Sequence, residues 1–103
     1  MAIGMIIENP DLNKEGFERV QAHLRETGPV PPEEARLVVG GATDTGWRMI
    51  TVWDSEDALE RFVGERLMPA YRQADVRSDR VKRTTFEVYA LSAGDLTGVP
   101  LPA

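Results

Sequence analysis

Few side chains in this sequence can carry a reaction, and they are scattered. His23 is the single histidine, the residue type whose ordinary pKa lies nearest neutrality and so the natural proton carrier. Phe17, Val20 and Leu24 repeat at helical spacing. At roughly 100° per residue their stripe centres roughly 90° away from His23. A histidine on that flank either reaches the rim of a cleft or is an ordinary boundary residue. Arg66 is the sharper anomaly. Counted from Leu59, it falls at roughly 340°, among Phe62, Val63 and Ala70, which puts a guanidinium inside an apolar stripe. Such a charge must be paired, reach water or meet a ligand. Its planar fork suits a carboxylate or phenolate, while snorkelling past the core or pairing with Glu87 or Asp54 satisfies the same requirement. Tyr71 and Tyr89 offer hydroxyls to a developing oxyanion, and Trp47 and Trp53 offer stacking walls for a flat ring. All four also serve simply as core filling. Thr51 lies mid-run between apolar neighbours, where its hydroxyl faces either a lumen or a neighbouring strand.

Other chemistries find no support. The sequence has no cysteine, which removes disulfides, thiolate metal sites and a thiol nucleophile. One histidine and no cysteine supply too few nitrogen and sulfur ligands for a transition-metal site. Gly40-Gly41 stands before a hairpin rather than between a strand and a helix, so it is no phosphate loop. The basic run from Arg72 to Arg83 lacks the broad basic face and interleaved aromatics of a nucleic-acid surface. The sequence therefore predicts no cofactor, no metal and no nucleic-acid partner.

The elements that must hold these residues are legible. With 103 residues and a formal charge of −5, the chain is sized for one mildly acidic domain. Ala2–Glu8 reads as a buried strand closed by Asn9-Pro10-Asp11. Asn13 then caps a helix, with Leu12 and Phe17 spaced as a hydrophobic staple. The prolines at 29, 31 and 32 impose a stiff loop. Arg36–Gly41 and Trp47–Trp53 form an antiparallel hairpin through a turn-rich link. Asp54 or Ser55 caps a second helix bearing Ala58, Leu59, Phe62, Val63 and Leu67, until Pro69 forces a kink or a fresh turn. Thr84–Leu91 reads as the last strand and residues 93–103 as an unstructured tail. No basic leader or bilayer-length apolar run precedes or interrupts these elements, which leads us to expect a cytoplasmic protein.

The order β-α-β-β-α-β is the split-βαβ, ferredoxin-like α+β arrangement, a four-stranded antiparallel sheet with two helices on one face. On the third strand Trp47, Met49, Thr51 and Trp53 oppose Arg48, Ile50, Val52 and Asp54, so both faces are apolar at mid-strand. The first strand repeats the pattern. Helices cover one face only, and the simplest cover for the other is a second copy of the sheet. The sequence thus predicts a homodimer.

Residues 1–92 resemble the dimeric α/β-barrel superfamily, which includes antibiotic-biosynthesis monooxygenase domains, stress-responsive barrel proteins and small polyketide cyclases. The resemblance rests on Gly46–Phe62, a strand ending in an aromatic followed by a capped helix, and continues through Glu65–Ala70. It implies sheets pairing in a homodimeric barrel. Superfamily members that degrade haem carry an axial histidine on the second helix, and Glu56–Arg72 has none. Quinol and anthrone monooxygenases of the superfamily use neither metal nor flavin, and their chemistry requires an apolar pocket, a base and a donor to the oxyanion. The expectation is a cofactor-independent monooxygenase or cyclase acting on an aromatic or polyketide-like molecule. His23 or Tyr71 would handle the proton, Arg66 would orient the anion, and Trp47, Trp53 and Thr51 would line the site. The alternative is a non-catalytic small-molecule-binding or assembly module on the same scaffold, because fold alone does not choose among these.

Overall fold

The structure, a computed structural model, describes residues 1–102. The chain runs β1 (Ile3–Asn9), α1 (Lys14–Thr27), β2 (Ala35–Thr43), β3 (Gly46–Trp53), α2 (Glu56–Phe62), a π-helical turn (Val63–Leu67), α3 (Met68–Gln73) and β4 (Lys82–Glu87). The strands form one antiparallel sheet in the order β2-β3-β1-β4, the topology the sequence predicts. Local chemistry sets the boundaries. Asn13 accepts the Gly16 N–H at 2.8 Å and so satisfies one of the free donors that begin α1. Ser55 does the same for Ala58 at 3.1 Å. Gly46 closes the β2–β3 hairpin at φ +148°, where a Cβ would stand 2.4 Å from the Asn9 carbonyl oxygen. Only glycine fits there.

Two elements differ from expectation. The disturbance in the second helical segment precedes Pro69 rather than starting at it. The Met68 N–H bonds the Val63 carbonyl, one residue wider than an α-turn, and Pro69 then lies in the first turn of α3. Proline has no N–H to offer the preceding turn, and an inserted residue lets the helix continue past it. The last strand occupies Lys82–Glu87 instead of Thr84–Leu91. Its register is dictated by β1, with Glu8 opposite Lys82 and Ile3 opposite Glu87. Beyond that, the Val88 N–H reaches the Ala2 carbonyl at 3.0 Å, and Tyr89–Leu91 have no strand to pair with. Residues 93–102 of the expected tail contain no helix or strand. Ala103 lies outside the described residues.

The register settles which face meets the helices. Met5 pairs with Thr51 and Ile3 with Trp53, and Met5, Ile7 and Trp53 pack with Ala58 and Leu59 of α2. A second cluster joins α1 to α3 through Val20, Leu24, Ala70, Tyr71 and Ala74. Ile6, Ile50, Val52 and Val39 share the opposite face. There the Phe86 ring lies over Gly4, so close that a Cβ at residue 4 would stand 2.3 Å from it. Val39 and Phe86 are about half exposed, at 50% and 46%. Among the described residues, no helix is long and apolar enough to cross a membrane.

Candidate functional site

The two core clusters do not close on each other. Between them lies a cavity of about 370 Å³, within the size range of small-molecule sites. Met5, Ile7, Met49, Thr51 and Trp53 form its sheet wall, Val20 and Leu24 of α1 its helical wall, and Phe62, Leu67 and Tyr71 its end. The loop at Val30-Pro31-Pro32 and the half-exposed Val38 border its opening. Pro31 and Pro32 thus supply a rigid edge. Each has a fixed φ and little entropy left to lose.

The polar groups of this lining are few. The Thr51 hydroxyl accepts the Trp53 indole N–H at 2.9 Å, buried at the floor. Burial pushes the Tyr71 phenol above its ordinary pKa, and a hydrogen bond with Asn9 pulls the other way. Burial prevails, so the phenol is a neutral donor across the physiological range. Asn9 is 1% exposed and itself fixed. Its amide N–H donates to the Arg77 carbonyl at 3.0 Å, and its carbonyl oxygen accepts the Asp11 N–H at 2.9 Å. Gln21 and Arg25 complete the polar lining. No carboxylate and no histidine is among the lining residues.

Of the residues singled out in the sequence, Thr51, Trp53 and Tyr71 come together in the cavity. The others stand elsewhere. Trp47 stacks on Phe17 with ring centroids 4.9 Å apart, donates its indole N–H to the Met49 sulfur at 3.1 Å, and borders a separate depression beside Glu8 and Lys82. His23 lies on the far flank of α1, its Nδ1 3.6 Å from Glu26 Oε2 and without a hydrogen-bond partner. Arg66 turns away from the cavity. Its Nε donates to the Thr27 hydroxyl at 3.1 Å and its Nη2 to the Leu24 carbonyl at 2.9 Å, with the guanidinium 5.4 Å from the Phe62 ring centroid. It satisfies carbonyl and hydroxyl acceptors at the C-terminal end of α1, where a cation also suits the helix dipole. Tyr89 is fully exposed.

The π turn accounts for part of this sorting. In a continuous helix Tyr71 would lie roughly 120° from Leu59, off the apolar stripe, and the extra residue sets the phase of α3 back by roughly 100°. Tyr71 thereby enters the core at 5% exposure. Sequence reasoning missed Gln21, Arg25, Phe62 and the proline loop as lining residues. One signal was available: Phe17, Gln21 and Arg25 recur every four residues along one edge of the α1 stripe, the edge opposite His23. Among the described residues, no three metal-ligating side chains converge.

No family model and no curated protein matches the chain. Solved structures do. Rv0793 from Mycobacterium tuberculosis superposes with a TM-score of 0.63 at 14% identity, over 90% of this chain and 100% of that one. The chain carries the ferredoxin-like fold. A "putative antibiotic biosynthesis monooxygenase" from Deinococcus radiodurans matches this fold with a TM-score of 0.53 at 16% identity, over 92% of this chain and 100% of that one. A dimeric ferredoxin-like protein of unknown function from Thermobifida fusca gives 0.54 at 19% identity, over 85% and 92% of the respective chains. Such identities speak for architecture, and the ferredoxin-like fold hosts many chemistries.

Proposed function

We propose that this ferredoxin-like chain is a cytoplasmic homodimer that binds a flat aromatic or polyketide-like molecule between helices and sheet, and oxygenates it without metal or flavin. The observation carrying the reading is the cavity itself, about 370 Å³ of mostly apolar lining with a buried, protonated Tyr71 phenol at its end. An electron-rich phenol or anthrone that has lost its proton to solvent reacts with dioxygen directly through its carbanion, one oxygen atom staying on the ring carbon and the other leaving as water. The protein's share is then to exclude water, hold the ring against Trp53, and donate a hydrogen bond from Tyr71 to the substrate oxygen. The resemblance to the Deinococcus radiodurans protein supports the same class. The dimeric state of the Thermobifida fusca protein supports pairing, and the apolar sheet face is the surface we assign to it.

Oxygen uptake with anthrone and with a naphthohydroquinone tests this. Wild-type protein should accelerate uptake, and Tyr71→Phe should lose roughly 10²–10³-fold, the usual effect of removing one oxyanion donor. A second reading, binding without turnover, is favoured by one observation: the lining offers neither carboxylate nor histidine to take a proton. Saturable binding with no uptake above background would select it. Absence of binding would reject both.

A further inference from the structure

Resting on the reading of the cavity as a ligand site, we propose that its ligand is an amphiphilic monoanion, with an apolar body inside and one acidic group held at the mouth by Arg25, assisted by Gln21. The two side chains are four residues apart on α1, hence on one edge of the helix, and both line the cavity. Arg25 is exposed and Gln21 half-buried, which places them at the opening rather than the floor. The other arginines around α1 are engaged. Arg19 donates to the Ala74 carbonyl at 3.1 Å, and Arg66 is committed to Leu24 and Thr27. Arg25 has neither an ion pair nor a side-chain hydrogen bond among the described residues.

Charge points the same way. The chain carries −5 overall, yet the cavity lining includes one cation and no anion. A cationic mouth over an apolar interior favours an anion that enters apolar end first, because low-dielectric walls concentrate the field of the single charge. The Trp53 indole N–H is spent on the Thr51 hydroxyl and most of the remaining interior lining is apolar, so the floor is suited to ring carbon and the mouth to charge. The Arg25 guanidinium itself carries the two parallel N–H donors that recognise a carboxylate, sulfonate or phenolate, and the Gln21 carboxamide adds a neutral donor on the same edge of the helix.

The test compares two fluorescent probes of similar body. These are 8-anilinonaphthalene-1-sulfonate, a monoanion, and N-phenyl-1-naphthylamine, which is neutral. Each is titrated into the full-length protein, into Arg25→Gln, and into Val38→Trp, which crowds the mouth. The expected result is that Arg25→Gln weakens the sulfonate probe by about tenfold or more, the loss of a charge-assisted hydrogen bond. The neutral probe should stay within about twofold, and Val38→Trp should weaken both. If Arg25→Gln changes both probes alike, or neither, the anion assignment is overturned while the cavity remains a ligand site. If neither probe binds wild-type protein, or Val38→Trp leaves both unaffected, the cavity reading fails and this inference falls with it.

Discussion

The Trp53–Thr51 hydrogen bond couples the cavity floor to the stability of the fold, and replacing Thr51 with valine measures it. Trp53 is 2% exposed and Thr51 7%, and the indole N–H has the Thr51 hydroxyl as its partner at 2.9 Å. Valine retains the side-chain volume but removes the acceptor, leaving a buried N–H with the desolvation cost of about 1–3 kcal/mol. The extra apolar contact of valine offsets part of this, so we expect a net loss of roughly 1–2 kcal/mol. For a domain of about this size each kcal/mol moves Tm by roughly 4–8 °C. Thermal and urea unfolding of Thr51→Val, Trp53→Phe and the double variant form a cycle. The two changes should couple by about 1 kcal/mol, because phenylalanine leaves no N–H to strand. A Thr51→Val protein within about 0.5 kcal/mol of wild type, with no coupling, would refute the reasoning and mean that water already reaches the cavity floor.

Three further outcomes follow from the same geometry. If the chain pairs as proposed, Ile50→Asp, on the sheet face away from the helices, should give a folded monomer in light scattering where the wild type gives a dimer. Met49→Asp, which points into the subunit core, should unfold the chain, because a buried unpaired charge costs several kcal/mol. A dimeric Ile50→Asp protein would contradict pairing through that face. Arg66→Met should lower stability by about 1 kcal/mol, because it removes one of the two donors to the Leu24 carbonyl and leaves the Thr27 hydroxyl on it, with ligand affinity unchanged. Unchanged stability with weakened binding would return Arg66 to the site. Burial raises the folded Tyr71 pKa, so its stabilising contribution is whole below about pH 10, the unfolded value, and is lost as pH climbs through the folded value. In a Tyr89→Phe background, the 295 nm absorbance of the remaining phenol should therefore rise late, and rising at or before pH 10 would contradict its burial.

Much of the architecture was legible because local signals and apolar periodicity agree. Asn13 and Ser55 are good caps in sequence and caps in space, and alternating apolar residues in β1 and β3 mark a sheet apolar on both faces. What escaped was longer in range. The end of β4 depends on where β1 begins, which Thr84–Leu91 cannot reveal by composition. The π turn shifts Tyr71 into the core, and no periodicity argument for an unbroken helix anticipates that. Arg66 looked like a ligand clamp because a guanidinium on an apolar stripe needs a partner. Its partners are a carbonyl and a hydroxyl of α1, contacts 42 and 39 residues away in sequence. The cavity is likewise a property of how α1 and the proline loop stand off the sheet, so Arg25 reads as an ordinary surface residue until the mouth is seen.

The central claim, that ligand enters between helices and sheet, is tested most directly by methyl chemical-shift mapping during titration with an aromatic acid such as 2-naphthoic acid. The expected result is saturable shifts of the Ile7, Leu24, Val38 and Leu67 methyls, which line the cavity, with Ile6, Ile50 and Val52 on the opposite sheet face unmoved. Shifts confined to Ile6, Ile50 and Val52, with the cavity methyls silent, would contradict it.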